Sequence, residues 1–350
     1  MRGTRVGIKP NSPEWLAWRA LGITAGDAAK ILGLSPWGSP FDLWWQKTAD
    51  RQALADGLVL EEPPRPQRFE IGHAMESVLE RFFATEAMPE GYRIGSGGCW
   101  QGRGALDWLR ATPDRMVYPD ARTRTPSLVV EFKTSGSFGA FGEDSGDGIP
   151  DIPVQYRVQM IHQMLTCGLS EGVLTALTPS MAVKHYHVAA TEDELHMVLD
   201  AVEAFEKSLR TGTPPDVDDH EATTRRLKTL WRETDAEPVT VPDELAAELL
   251  DADLDYKAAK KRLDLAKNQL LKVLGNGTQA LASDGTKVAS RSVTRRKASD
   301  HQAVKTALDS LAGTFPFDPR ALVAVAPEPT VTLRIATPRK KPQPITEETS

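Results

Sequence analysis

The chain has 350 residues, 40% of them hydrophobic and 26% charged, which is the composition of a globular protein with a full core. The net charge of −6 does not indicate a nucleic-acid binder, although a local basic groove can coexist with it. Two cysteines, Cys99 and Cys167, exclude a disulfide framework and a cysteine-only zinc or iron–sulfur site. No apolar run is long enough for a signal or a membrane span, so we expect a cytoplasmic protein.

The N-terminal segment, residues 12–45, is dense in tryptophan and predicts a helix, a turn and a second helix. Thr24 is the expected N-cap of the second helix, with Asp27 at its third position, a relative of the capping box. Most of the tryptophans are expected in the core. Trp37 lies in a turn between Ser-Pro and Gly-Ser, and is the best candidate to stack on a base.

An amphipathic helix is predicted after the proline-rich connector at 50–68. Glu76 borders its apolar stripe, about 60° round from Leu79, and Glu80, one turn on, competes with Glu76 for any functional role. The stripe comprises Ile71, Met75, Val78, Leu79, Phe82 and Phe83.

Two strands are predicted next, over 111–118 and 127–134. The apolar run at 128–130 is typical of a buried central strand. Because side chains two apart in a strand share a face, Glu131 and Lys133 should project together while Phe132 packs on the other side.

Asp114 and Glu131 are the predicted chemical centre. A carboxylate and an ammonium at the end of a buried strand are costly without partners. A divalent cation shared with Asp114 would resolve that cost, since Mg²⁺ prefers a few carboxylate oxygens with water and phosphate. Lys133 alongside could orient a water molecule or stabilise developing charge. The alternative is an exposed strand on which Glu131 and Lys133 form an ordinary ion pair.

The rest of the chain predicts a helix over 152–168, two strands, a capped helix over 191–212 and a domain boundary near residue 215. A leucine-spaced helix over 243–274 and an Asp-Gly hairpin follow. From Lys257 to Lys297 the net charge is +9, which suits either phosphate contacts or a solvated face. We expect a first domain over 1–215 that contains Asp114 and Glu131, a basic accessory region over 216–312 and a disordered tail over 313–350.

The motifs in order are WLAWRALGITAGDAAKILGLSPWGSPFDLWW, IGHAMESVLERFF, ATPDRMV, VVEFKTS and QMIHQMLTCG. Together they resemble the YqaJ-like viral recombinases, the family of phage lambda-type exonucleases within the PD-(D/E)XK nuclease superfamily. The resemblance covers roughly residues 12–210.

This resemblance implies an α/β fold, with a central mixed sheet flanked by helices, and digestion of linear duplex DNA from 5′ to 3′. It also implies two Mg²⁺ ions, which Mn²⁺ can replace, and a homotrimer that works with a single-strand annealing protein in a bacterial host or phage-infected cell. By motif position the catalytic residues are Glu76, Asp114, Glu131, Lys133 and Gln159, of which the first three hold metal. Substrate binding falls to Arg19 at the terminal 5′-phosphate, with Thr24 and Trp37.

The chain also departs from the family pattern. Gly26 stands where a serine is usual, so the backbone N–H groups there would have to hold the phosphate. Ile161 replaces the second glutamine after Gln159. Gln159 could equally be a polar helix position, and Arg19 could form a salt bridge.

Two other functions stay open: a CRISPR-associated RecB-like endonuclease, which commonly carries four cysteines, and a non-catalytic DNA-binding protein on the same fold.

Overall fold

The computed structural model describes residues 2–62, 66–120, 122–137, 140–142, 150–232, 237–294, 306, 309–310 and 330–335. Its contacts divide the chain into two compact units, Met1–Thr234 and Asp235–Ser350. No helix in these ranges is both long and apolar enough to cross a membrane.

The helices of the first unit are α1 (Pro13–Ala20), α2 (Ala25–Ile31), α3 (Pro40–Ala55), α4 (Gln67–Glu86), α5 (Val154–Cys167), α6 (Glu192–Thr211) and α7 (Glu221–Leu230). Its strands are β1 (Thr4–Val6), β2 (Ile23–Thr24), β3 (Arg93–Ser96), β4 (Cys99–Gln101), β5 (Leu109–Ala111), β6 (Arg115–Tyr118), β7 (Leu128–Thr134), β8 (Glu171–Leu177) and β9 (Val183–Ala189).

The first unit extends past the boundary predicted near residue 215, because α7 packs on α3. The Arg226 Nε atom donates to Asp42 Oδ1 at 2.8 Å, and the Thr223 and Ser39 hydroxyls lie 2.7 Å apart. Thr223 is buried in this contact. The polar sequence TPPDVDD at 213–219 is therefore a connection inside the first unit.

A five-stranded sheet in the order β3-β6-β7-β8-β9 forms the centre of the first unit. Only the β7–β8 pair is parallel, and the other pairs are antiparallel. The predicted mixed sheet flanked by helices is thus confirmed, with β7 at its middle. A second sheet, β1-β4-β5-β2, is also mixed and lies against α1 and α5.

Helices cover both faces of the central sheet. Val129 belongs to the core cluster that includes Val158 and Ile161 of α5. Val130 and Phe132, on the opposite face of β7, pack with Leu79 and Phe83 of α4. This alternation is the one predicted for β7. It places Glu131 and Lys133 toward α5.

The apolar stripe predicted on α4 is only partly correct. Leu79 and Phe83 are fully buried, whereas Ile71, Val78 and Phe82 are exposed. Leu79 and Phe83, four residues apart, pack directly on the sheet. The sheet covers only this narrow face of α4, so the neighbouring apolar positions of the helix stay exposed to solvent.

Local sequence signals set the helix ends. Thr24 N donates to Asp27 Oδ2 at 2.9 Å, which confirms the predicted capping residues of α2. Thr191 and Glu194 form a full capping box at the start of α6. Gly168 ends α5 in the left-handed conformation (φ 68°), where a side chain would be strained.

The second unit contains the predicted long helix, α8 (Asp243–Leu274), and the predicted hairpin, β10 (Gln279–Leu281) and β11 (Lys287–Thr294). The expected disordered tail is wrong for one segment: Thr330–Ile335 forms strand β12, antiparallel to β11. The sequence TVTLRI alternates polar and apolar residues and contains four β-branched side chains, which favour strands. The other residues assigned to the tail lie outside the described part of the chain.

Candidate active site

The Glu131 carboxylate is the most heavily bonded group on β7. It is buried, yet three side chains donate to it. Lys133 Nζ lies 2.6 Å and Gln159 Nε2 2.5 Å from its Oε1 atom, and Gln163 Nε2 lies 2.8 Å from Oε2. The exposed ion pair considered as the alternative is therefore not what the structure contains, because both oxygens of Glu131 are held inside the protein.

Asp114 lies just before β6 and beside Glu131. Its Oδ2 atom accepts a 2.7 Å hydrogen bond from the backbone N–H of Phe132, the residue after Glu131. The chain at Gly97 passes so close behind it that an added Cβ would lie 1.7 Å from the Pro113 carbonyl oxygen. Glycine at position 97 thus lets β3 and β4 hold the turn that carries Asp114.

The carboxylates of Asp114, Glu131 and Glu76 lie close enough to affect one another's charge. Burial raises the pKa of Asp114 well above its ordinary value, and the nearby charges of Glu131 and Glu76 raise it further. Burial by itself would lower the pKa of Lys133, but Glu131 and Asp114 outweigh that effect and raise it. Lys133 is therefore a firmly charged ammonium among more negative charge than it can neutralise.

Glu76 comes to this site from α4, on the other face of the sheet from α5. It is close enough to act electrostatically on Asp114, and its Oε1 lies 3.0 Å from His73 Nδ1. Glu80, its competitor, is bonded elsewhere: Arg115 Nη2 donates to Glu80 Oε2 at 2.7 Å. Of the two glutamates, Glu76 is the one that has no arginine partner among the described contacts.

Divalent metal suits this donor set. Three carboxylates repel one another around a single lysine, so a cation would relieve the repulsion that raises the pKa of Asp114. Within the described ranges, no group of three or more His, Cys, Asp or Glu side chains is placed to hold a metal ion. Asp114 and Glu131 are two neighbouring carboxylates, and Mg²⁺ is commonly bound through one or two carboxylates with water and phosphate completing its shell.

Gln163 was missed by the sequence analysis, which noted only that Ile161 replaces a glutamine. Ile161 faces the core, whereas Gln159 and Gln163 are four residues apart and share the face of α5 toward Glu131. The i, i+4 spacing of two glutamines was the available signal. Gln163 is fully buried, and its Oε1 atom has no described partner.

An aromatic row extends from the site to the surface. The Lys133 Nζ atom lies 5.1 Å from the centre of the Tyr156 ring, and the Trp37 ring centre lies 6.1 Å from that of Tyr156. Trp37 is 59% exposed, while the other tryptophans of this region are buried or partly buried, as predicted. The row thus connects Trp37 to Lys133 through Tyr156, a residue the sequence analysis did not select.

The remaining predicted residues lie in the α1–α2 region. Arg19 stacks on Trp15, with its Cζ atom 4.3 Å from the ring centre, and it has no described salt bridge. Thr24 is buried and its hydroxyl donates to Asp27 Oδ2 at 2.8 Å, so that hydroxyl is already used in capping. Asp27 is held in turn by the buried Lys47. Gly26 is exposed and has room for a side chain.

Comparison with known proteins finds one family model that matches the segment carrying these motifs. The model of the YqaJ-like viral recombinase domain matches residues 14–170. An uncharacterized protein YqaJ of Bacillus subtilis strain 168 is 24% identical over 226 residues, which span 63% of this chain and 64% of that protein.

Solved structures that match this chain include the alkaline exonuclease LHK-Exo of Laribacter hongkongensis, with 18% identity and a TM-score of 0.44. The match covers 63% of this chain and all of that one. A putative exonuclease of Eubacterium rectale matches at 10% identity and a TM-score of 0.39, over 68% of this chain and 98% of that one. The residues that the family model matches include Asp114, Glu131, Lys133, Gln159 and Gln163.

Proposed function

We propose that this chain is a magnesium-dependent exonuclease that degrades linear double-stranded DNA from 5′ to 3′, for homologous recombination by strand annealing. The observation that carries the proposal is the buried Glu131 carboxylate, held by Lys133 and two glutamines beside Asp114. The family match over residues 14–170 supports the recombination role.

Metal binding falls to Asp114 and Glu131, with Glu76 as the third carboxylate. Two Mg²⁺ ions, or Mn²⁺ in their place, would supply Lewis-acid activation of the phosphodiester and of a water molecule. Gln159 and Gln163 orient Glu131, as the partners of metal-binding carboxylates commonly do. Lys133 remains charged, and its ammonium would stabilise negative charge that develops on the phosphate.

Substrate contacts would come from two sides. Trp37, which is exposed and lies beside Tyr156, offers a ring face on which a base could stack, a sequence-independent contact. Arg19, stacked on Trp15 and without a described carboxylate partner, has its planar donors available for a 5′-phosphate. A homotrimer and a phage single-strand annealing protein as partner are further parts of this proposal.

The direct test is incubation of the purified chain with Mg²⁺ and either linear or covalently closed circular duplex DNA. We expect the linear DNA alone to be degraded, with a label at the 5′ end released before one at the 3′ end, and no cleavage in EDTA. Cleavage of closed circles would show an endonuclease instead. Binding of both forms without cleavage would show a DNA-binding protein.

A further inference from the structure

Helix α8 carries a heptad repeat along its length. Numbering the heptad from Leu249, positions a hold Leu249, Tyr256, Leu263 and Leu270. Positions d hold Leu245, Ala252, Ala259, Ala266 and Val273. We call these nine positions the apolar seam. A strict alternation of four and three residues over four heptads is the pattern of a coiled coil.

Nothing in the described part of the chain covers the apolar seam. None of the 32 residues of α8 is buried, and Leu249 and Tyr256 are 69% and 66% exposed. Only the last turns of α8, around Leu270, are partly shielded from solvent, where the helix contacts strand β10. Large apolar side chains at regular spacing over so long a helix need a partner helix.

The charges that flank the seam point to the partner. Residues 243–256 contain six acidic and no basic residues, a net charge of −6, whereas residues 257–274 have a net charge of +5. Favourable interaction with the helix dipole explains charges only in the first and last turns. The separation here extends over both halves of α8, so two copies of the helix in opposite directions would place acidic halves against basic halves.

Side-chain size favours the same orientation. In a parallel pair, a faces a and d faces d, so bulky layers would alternate with alanine–alanine layers that leave a gap. In an antiparallel pair, a faces d, and the three central large side chains each meet an alanine: Leu249 faces Ala266, Leu263 faces Ala252 and Tyr256 faces Ala259, while Leu245 and Leu270 face each other at the ends. Alternation of large and small residues across a contact is what fills a core.

The flanking pairs agree with this. In the antiparallel pair Asp253 lies near Lys260 of the second copy, and Asp255 near Arg262. In the parallel pair only Asp255 would meet an opposite charge, Lys260, whereas Glu248 would lie near Asp253 and Arg262 near Lys267, which are like charges. The Asp253–Lys257 pair within α8 is exposed, so it contributes little stability and can be exchanged for a pair between helices.

We infer that α8 is a self-association element that joins two copies of this chain through an antiparallel coiled coil. This inference does not depend on the proposed nuclease activity. It differs from the use of the basic stretch for DNA contact, because the basic half of α8 is then opposite the acidic half of a second copy.

The test measures the mass of the full-length chain in solution by light scattering. Leu249→Gln with Leu263→Gln should lower the mass of the assembly, to half where the wild type is a pair of single chains. Leu254→Gln with Leu265→Gln is the matched control, since these leucines are similarly exposed on the same helix but lie outside the seam. Equal masses for all three proteins would overturn the inference, and a seam variant that loses thermal stability at unchanged mass would show that the seam packs within one chain.

Orientation is tested by disulfide cross-linking of Ala252→Cys and Leu263→Cys chains, with the wild type and its buried Cys99 and Cys167 as background. In the antiparallel pair residue 252 faces residue 263, and each position is roughly 16 Å from its own copy, too far for a disulfide. Only the mixture of the two chains should cross-link. Efficient cross-linking of each variant with itself would show a parallel pair and contradict the inference.

Discussion

Gln163 donates to Glu131 Oε2 at 2.8 Å from inside the protein, where neither residue is open to solvent. A carboxylate that binds metal needs such fixed partners, since loss of one typically costs 10- to 100-fold in metal affinity or activity. We expect Gln163→Met, which keeps the volume but removes the donor, to lower the cleavage rate about 10- to 100-fold. Gln155→Met on the same helix, away from Glu131 in the described contacts, is the control.

The measurement is the single-turnover cleavage rate over a range of Mg²⁺ concentrations. A partner that orients Glu131 should shift the Mg²⁺ dependence to higher concentration, which a general loss of stability would not do. An unchanged rate in Gln163→Met would mean that this contact is not part of the active site.

Trp37 allows a test of substrate stacking. Its ring is exposed beside Tyr156, and base–aromatic stacking contributes about 1–3 kcal/mol per base. Trp37→Ala should therefore weaken binding of duplex DNA by about fivefold to a hundredfold. Trp231, 68% exposed at the end of α7, supplies the control. Binding that weakens equally in Trp231→Ala would remove the specific role of Trp37.

Arg19 is predicted to distinguish DNA ends. The wild type should degrade a 5′-phosphorylated duplex faster than the same duplex with a 5′-hydroxyl, and Arg19→Ala should abolish the difference. Arg19→Lys should recover only part of it, because lysine keeps the charge but lacks the planar fork of donors. Initial rates on the paired substrates measure the effect, and equal wild-type rates on both would exclude this role.

How far the sequence predicts the structure depends on how local the signal is. The capping residues Thr24 and Asp27, and the alternation at Glu131, Phe132 and Lys133, follow from spacings of two or three residues, and each is confirmed. The site as a whole needed the structure. Gln163 and Tyr156 make contacts that cross from α5 to β7, and although the i, i+4 spacing of Gln159 and Gln163 shows that they share a helix face, it does not show that this face meets Glu131.

The wrong predictions also concern contacts between residues far apart in the sequence. The apolar stripe predicted on α4 includes residues that are exposed, because periodicity gives the direction of an apolar face but not how much of it the sheet covers. Strand β12 was missed because its pairing partner, β11, lies some forty residues earlier in the chain.

His162 links stability to pH. Burial lowers its pKa from 6.5 to about 4, and its Nε2 lies 3.1 Å from the Arg110 carbonyl oxygen. Because the pKa is lower in the folded state, the neutral side chain contributes full stability above pH 6.5, and this is lost as the pH falls toward 4. Between pH 7.5 and pH 5 the loss should be about 2 kcal/mol.

The check is the free energy of unfolding from urea titrations of wild type and His162→Gln at those two pH values. Glutamine keeps an N–H donor but does not titrate, so the variant should lose about 2 kcal/mol less than the wild type over this interval. Identical pH dependence in the two proteins would show that His162 is not the group responsible.

The central claim, that the Glu131 cluster is a catalytic metal site, is tested most directly by Glu131→Gln, assayed for DNA cleavage in Mg²⁺ and for DNA affinity in the same buffer. The account predicts a loss of cleavage of at least about a thousandfold, equal to several kcal/mol of barrier. DNA affinity should stay within about threefold, since it comes mainly from backbone phosphate contacts. Asp114→Asn should behave in the same way. A Glu131→Gln protein that keeps its fold and more than about a tenth of the wild-type rate would contradict the account.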